Sequence, residues 1–312
     1  MKRISEWSES LRSRGLEEHE TVSSSYSIVA LGEVLWDEFP DGPRFGGAPA
    51  NFACTCAELG RENTVKLMSA VGDDERGQAA AGELERHGVD ITGLQVNQLP
   101  TGQVFVMVDQ LGGANYRFAE HSAWDEILLS DYAVAELALC DAVCFGTLGQ
   151  RMPRSSATIQ ALVAGAPTDS LRILDLNLRD PYTDTHVIRQ SLRLCNVLKV
   201  NDEELEFLAR KGFTAGAANQ QLRQLCSEYG LRCMAVTRGA NGALLTNGQE
   251  VFECPAPPTE VCDTVGAGDA FTAALTLGLL GGHEFPKILS DAMRAAAWVC
   301  SQPGGSPHFP DA

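Results

Sequence analysis

Asp263-Thr264-Val265-Gly266-Ala267-Gly268-Asp269 runs directly into Ala270-Phe271-Thr272-Ala273-Ala274-Leu275. The first seven residues read as a tight turn, and the next six as the opening of an apolar helix. Gly266 and Gly268 let the backbone turn where a side chain would obstruct it, so the free N–H groups of the helix that follows can converge on an anion. Asp269 sits beside that nest, placed to accept a hydroxyl proton. Transfer of a phosphoryl group to an alcohol needs both parts. An ordinary Asp N-cap behind a glycine turn is the competing reading of the same residues.

Outward from this turn, short apolar segments alternate with helical patterns. The strands expected are Ser27–Leu31, Val65–Ala70, Val104–Asp109, Ala142–Phe145, Arg172–Leu176, Val197–Val200, Cys233–Thr237 and Ala243–Thr246. The helices expected are Ala50–Leu59, Gly77–Arg86, Arg154–Ala164, Asp202–Ala209, Asn219–Tyr229, and two at the end near 270–280 and 286–300. That alternation indicates an α/β fold with a mainly parallel sheet covered on both sides. Gly93–Phe118 breaks the rhythm and reads as an antiparallel excursion turning at Gly112-Gly113, either a small lid over the carboxyl ends of the strands or a plain pair of edge strands. Residues 1–26 are a polar tail in which Trp7 and Leu11 suit one side of a short helix, and 27–312 form one domain with lid segments around 34–45 and 93–118.

The bulk properties exclude several classes of function. Forty-one acidic against 24 basic residues give a formal net charge of −17, which opposes a nucleic-acid partner. With 44% hydrophobic residues and no apolar run near the ~20 residues a bilayer requires, the chain reads as soluble and without a membrane partner. Met1-Lys2-Arg3-Ile4-Ser5-Glu6-Trp7 leads into mixed charge, not an apolar signal core, so a cytoplasmic location is expected. Ten cysteines are spread through apolar segments as buried thiols, and Cys54 and Cys56 have no matching pair at zinc-site spacing.

Neither Gly-x4-Gly-Lys-Ser/Thr nor a His-Arg-Asp with a later Asp-Phe-Gly occurs, and Gly239-Ala240-Asn241-Gly242 lacks the third glycine of a dinucleotide fingerprint. Gly46-Gly47-Ala48-Pro49-Ala50-Asn51-Phe52-Ala53 and Asp263–Asp269 instead resemble the two signatures of the ribokinase or PfkB family of carbohydrate and nucleoside kinases. The resemblance runs from about Ile28 to Pro310. It implies a ribokinase-like three-layer αβα sandwich with a mainly parallel central sheet and a small β lid, using ATP and Mg²⁺.

The resemblance also implies roles for individual residues. Asp269 matches the base that takes the acceptor proton, and the backbone of Gly266, Ala267 and Gly268 matches the anion hole. Asp37, read as closing the first strand, matches an acceptor of hydrogen bonds from two sugar hydroxyls, with Gly47 and Asn51 also on the sugar; on residues alone Asp37 is equally a solvated loop acid. Asn201-x-x-Glu204 is a capping box by spacing and, by resemblance, lies near the phosphates with Glu204 organising Mg²⁺-bound water. Thr237, Gly239 and Gly242 match the nucleotide-side loop, where strand-turn-strand is the plain alternative. The family's K⁺ site is implied by Asp263–Val265 but not by Cys300–Ser306, which departs from the usual closing loop. In some relatives the lids meet across a homodimer.

Gly32-Glu33-Val34-Leu35-Trp36-Asp37, Pro100-Thr101-Gly102 and Ala123-Trp124-Asp125 look closest to fructokinases, implying phosphorylation of the primary hydroxyl of free D-fructose to D-fructose 6-phosphate. Arg179, in Asp175-Leu176-Asn177-Leu178-Arg179, leaves 2-keto-3-deoxygluconate as an alternative acceptor. Ribose or a nucleoside follows as a third option, and a non-catalytic sugar-binding regulator is the alternative of a different kind.

Overall fold

The computed structural model describes residues 25–108 and 114–310. Its strands are β1 (Ser27–Leu31), β2 (Leu35–Phe39), β3 (Gly42–Gly46), β4 (Thr64–Gly72), β5 (Leu94–Asn97), β6 (Gly102–Val108), β7 (Ala114–Phe118), β8 (Ala142–Phe145), β9 (Leu171–Asp175), β10 (Val197–Asn201), β11 (Cys233–Thr237), β12 (Ala243–Thr246) and β13 (Val251–Cys254). Its helices are α1 (Ala48–Leu59), α2 (Glu75–Arg86), α3 (Asp131–Leu137), α4 (Pro153–Gly165), α5 (Thr185–Leu194), α6 (Asp202–Arg210), α7 (Ala218–Tyr229), α8 (Ala267–Leu280) and α9 (Phe285–Cys300).

Ile28, Val29, Ala30 and Leu31 are all fully buried, which a strand achieves only with both faces covered. Ile28 and Ala30 join a core with α1, α2, α8 and α9, through residues such as Phe52, Leu84, Phe271 and Ile288. Val29 and Leu31 point the other way, into a core with α3–α7 that includes Leu137, Ile159, Ile188, Leu205 and Leu222. The period of two along β1 therefore serves two helical layers at once. The central sheet runs β13-β12-β11-β10-β9-β8-β1-β4-β5. It is parallel except for β12 and β13, which pair antiparallel at one edge. This is the expected three-layer sandwich.

The second sheet, β3-β2-β6-β7, differs from expectation in two ways. First, β2 pairs parallel with β6 and antiparallel with β3, so the small sheet is mixed. Second, Leu94–Asn97 is not part of it, because β5 pairs parallel with β4 on the edge of the central sheet. Asp37 also moves. The first strand ends at Leu31, Gly32 turns at φ 147°, and Asp37 lies in β2 of the small sheet. Apolar Val34-Leu35-Trp36 beyond Gly32-Glu33 belongs to this second strand and does not continue the first. The Gly112-Gly113 turn and the helix around Trp7 and Leu11 lie outside the described residues. Among those described, no helix is long and apolar enough to cross a membrane.

Where the chain leaves the small sheet, a buried ion pair holds it. Arg151 donates to both Asp125 oxygens at 2.7 Å and to the Ala119 carbonyl at 2.8 Å, with its guanidinium 4.0 Å over the Trp124 ring. The paired side chains are 1% and 3% exposed. Removing the cation would strand a desolvated carboxylate. Arg151→Met is therefore expected to lower unfolding free energy by about 3–5 kcal/mol in denaturant titration; a loss below ~1 kcal/mol would show that the pair does not hold this junction.

Candidate active site

At one end of the central sheet the carboxyl termini of β9, β10 and β11 lie side by side. Register sets Asp175 beside Lys199 and Asn201 beside Thr237. Lys199 and Asp175 are both buried and form an ion pair at 3.0 Å, and the Thr272 hydroxyl of α8 donates to the other Asp175 oxygen at 2.8 Å. Burying a charge is costly unless it is paired and hydrogen-bonded, and Asp175 is both.

The Asp263–Asp269 segment packs onto this end as the entry to α8, whose N-cap is Gly266. Gly266 has φ 78°, and a Cβ there would stand 2.0 Å from the Gly305 carbonyl oxygen. Close backbone approach as well as left-handed geometry excludes a side chain. At Gly268 a Cβ would lie 2.9 Å from the Lys199 ammonium, so the space next to the turn belongs to a buried cation. Helix N–H groups and an ammonium thus share one side of the turn.

Asp269, in the first turn of α8, accepts a hydrogen bond from Asn51 Nδ2 at 2.8 Å, and Asn51 Oδ1 accepts from the Ser306 hydroxyl at 2.7 Å. Loss of water raises the Asp269 carboxyl, and the negative charge of Asp175 raises it further. The Asn51 bond, Lys199 and Arg179 pull it down, leaving it at about 7.

Asp37 faces Arg44 across β2 and β3. Burial lifts its carboxyl most, Arg179 and Arg44 oppose that, and Asp263 and Glu38 add to it, for a value of about 6. A Cβ on Gly46 would come 2.9 Å from Asp37 Oδ2, and one on Gly47, at φ 108°, 2.6 Å from the Glu33 carbonyl oxygen. The paired glycines are thereby explained by backbone and carboxylate packing against the start of α1. Glu33 is buried, one of its oxygens has no hydrogen-bond partner, and desolvation raises its carboxyl. Exposed Arg179 lowers all three acids, Glu33, Asp37 and Asp269.

Asn201 and Glu204 form a full capping box on α6: Asn201 Oδ1 accepts from Glu204 N at 2.7 Å and Glu204 Oε2 accepts from Asn201 N at 2.8 Å. The second Glu204 oxygen takes the Leu178 N–H at 2.8 Å. Each oxygen keeps a lone pair, which suits a water bridge to a hard cation better than direct ligation. Thr237 stands beside Asn201, and Gly239, at φ 53°, has open space where its Cβ would be. Gly242 differs, because a Cβ there would be 2.0 Å from the Cys254 carbonyl oxygen. Strand-to-strand packing accounts for that glycine. Thr101 and Trp124-Asp125 likewise hold the frame, Thr101 through bonds to Asp74 and Gly72.

The structure therefore joins Asn51 to Asp269 and the Gly266–Gly268 turn, and sets Asp37 and Arg179 within electrostatic reach. It places Asn201, Glu204 and Thr237 at the strand ends nearby. Sequence reasoning did not single out Lys199, Asp175, Thr272, Ser306 or Glu33. Lys199 carried a signal, being a lone charge within the apolar run Val197–Val200. Ser306 carried none.

Residues 42–312 match the family described as pfkB family carbohydrate kinase. A fructokinase of Escherichia coli is 29% identical, covering 92% of this chain and 97% of its own length. A putative sugar kinase of Pyrococcus horikoshii is 30% identical, covering 81% and 82%. Its crystal structure in complex with ATP aligns at 26% identity with a TM-score of 0.77, over 90% of this chain and 95% of that one. An aminoimidazole riboside kinase of Salmonella typhimurium is 28% identical, covering 75% and 73%.

Carboxyl carbon NMR across pH on the ligand-free protein is expected to titrate Asp269 near 7. Asn51→Ala removes a bond that favours the charged form, so the midpoint should move up; an Asp269 midpoint near 4 would contradict the desolvated placement.

Proposed function

Because the chain belongs to the pfkB family of carbohydrate kinases, an ATP-dependent phosphotransferase acting on a sugar, we propose that its acceptor is D-fructose, converted to D-fructose 6-phosphate. The observation that carries the catalytic part is the Asp269 carboxylate, short of water, held by Asn51 at the turn Gly266–Gly268. Asp269 takes the proton as the primary hydroxyl oxygen bonds to the γ-phosphorus and the bond to ADP breaks. Backbone N–H groups of the turn, with Lys199 behind them, stabilise the transferring phosphoryl. Protonation below about pH 7 removes the base in the free enzyme.

Glu204 would hold Mg²⁺ through water, and the bound ion supplies charge neutralisation at the phosphates. Asn201 and Thr237 lie where the phosphates would pass, and Gly239 leaves room there. The Cys300 carbonyl already accepts from Cys262 and Asp263 N–H, and the Asp263 carboxylate from Arg44, Gly304 and Val265.

A free neutral sugar is favoured because the acceptor side is rich in acids. Glu33, Asp37, Asp263 and Asp269 would repel a second phosphate. Arg44 is engaged with Asp41, Asp263 and the Phe39 ring, and Arg117 stacks on Phe105. Asp37, with two acceptor oxygens, suits neighbouring sugar hydroxyls. The name of the Escherichia coli relative, fructokinase, supports the choice. Exposed Arg179 supports a second reading, 2-keto-3-deoxygluconate, whose carboxylate it would meet.

ATP consumption over fructose, ribose, 2-keto-3-deoxygluconate, fructose 6-phosphate and an aminoimidazole riboside is expected to favour fructose by kcat/KM. Preference for another acceptor by several decades rejects the assignment. Asp269→Ala should lower kcat by about 10²–10⁴-fold; equal turnover by both proteins would remove Asp269 as base.

The small sheet is proposed as the lid, since it carries Asp37 and closure over the sugar would exclude water. Fructose should slow amide exchange in β2 and β3, and unchanged exchange would remove the lid.

A further inference from the structure

Two helices end at the same spot. Glu58 lies in the last turn of α1 and His87 caps the carboxyl end of α2. The closing segment crosses both with His308. His87 Nδ1 and His308 Nδ1 converge on one oxygen, Glu58 Oε1, at 2.9 and 2.5 Å, and the two rings stack at 4.3 Å between centroids. The other oxygen, Oε2, accepts from Phe309 N at 3.1 Å, which fixes the carboxylate's orientation.

We propose that Glu58, His87 and His308 bind a divalent transition-metal ion, Zn²⁺ by the chemistry of the donors. Their three ligand atoms lie within 4.8 Å of one another, the only such His, Cys, Asp and Glu group found among the described residues. Zn²⁺ bonds of ~2.0–2.1 Å in a tetrahedron put ligands about 3.3 Å apart. The two imidazole nitrogens stand 2.9 and 2.5 Å from Glu58 Oε1, so the ion would enter by pushing them outward from the carboxylate. Two imidazoles and one carboxylate select Zn²⁺ over Mg²⁺ or Ca²⁺, which prefer oxygen alone.

The helix dipoles also suit a cation. The carboxyl ends of α1 and α2 both direct their negative dipole ends here, and the last turn of α1 holds no basic residue. Arg86, on the last turn of α2, is already paired with Glu83. Glu58 and His87 side chains are 8% and 5% exposed while His308 is 65% exposed. The site is closed beneath and open above, where a water would complete four ligands.

The ion would clamp the closing segment two residues beyond Ser306, whose hydroxyl holds Asn51, which in turn holds Asp269. His87 also lines the cleft that contains Arg44, Gly304 and Ser306. The metal would therefore stiffen the loop that backs the Gly266 turn without touching either substrate.

The test uses full-length protein stripped with a chelator, then titrated with Zn²⁺ against a chelating dye and, separately, with Co²⁺. One equivalent should bind, with a Co²⁺ absorption spectrum of nitrogen and oxygen donors and no thiolate charge-transfer band. Zn²⁺ should also slow amide exchange across residues 302–309. His308→Ala, at an exposed position, and Glu58→Gln should each weaken binding at least about tenfold. No binding by the wild-type chain, equal binding by both variants, or a thiolate spectrum would each overturn the site.

Discussion

A hydrogen bond from the Asn51 amide to the Asp269 carboxylate joins the two segments to which the proposed mechanism assigns the chemistry. Asn51 sits in the first turns of α1 and Asp269 in the first turn of α8. Asp269 is only partly exposed, and loss of water raises its carboxyl, so this bond is among the few contacts that favour its charged form. Asp175 lies near enough to oppose its ionisation, and Lys199, bonded to Asp175, softens that opposition. Two acids and one buried cation are balanced so that one of the acids stays close to neutrality in its proton affinity.

The same economy of space explains the glycines. Gly266 lies against the Gly305 carbonyl, Gly268 beside Lys199, Gly47 against the Glu33 carbonyl and Gly46 against Asp37. A methyl group at any of the four would displace backbone or a charged group that the site uses. The helix N-terminus and the carboxylate are consequently brought together by packing from three directions: the closing loop, β10 and the small sheet. Fixed dipoles and charges in such a place act more strongly than they would in water.

Much of this was legible before any coordinates. The alternation of apolar strands and helices reported the two-sided sheet, because β1 must fill both cores, and the Asp263–Asp269 run reported the turn. Asn201 and Glu204 were readable as a capping box, which they form. What stayed hidden depended on contacts distant in sequence. Ser306 lies 255 positions from Asn51, and nothing in its neighbours marks it. Asp37 read as closing the first strand, whereas that strand ends at Leu31 and Asp37 lies in β2 of the small sheet. The parallel pairing of β2 with β6 has no local signature, since register between remote strands is set by tertiary packing.

Glu33, Asp37, Asp263 and Asp269 gather on one side of the Gly266–Gly268 turn, and Lys199 and Glu204 on the other. Under the proposed function, charge would divide the site into a half for a neutral alcohol and a half for phosphates. The most direct measurement is a crystal structure with fructose and a non-hydrolysable ATP analogue. The primary hydroxyl is expected within about 2.6–3.2 Å of an Asp269 oxygen, with the terminal phosphate on the N–H groups of residues 266–268. A sugar bound with that hydroxyl directed away from Asp269, or a phosphate held elsewhere, would contradict it.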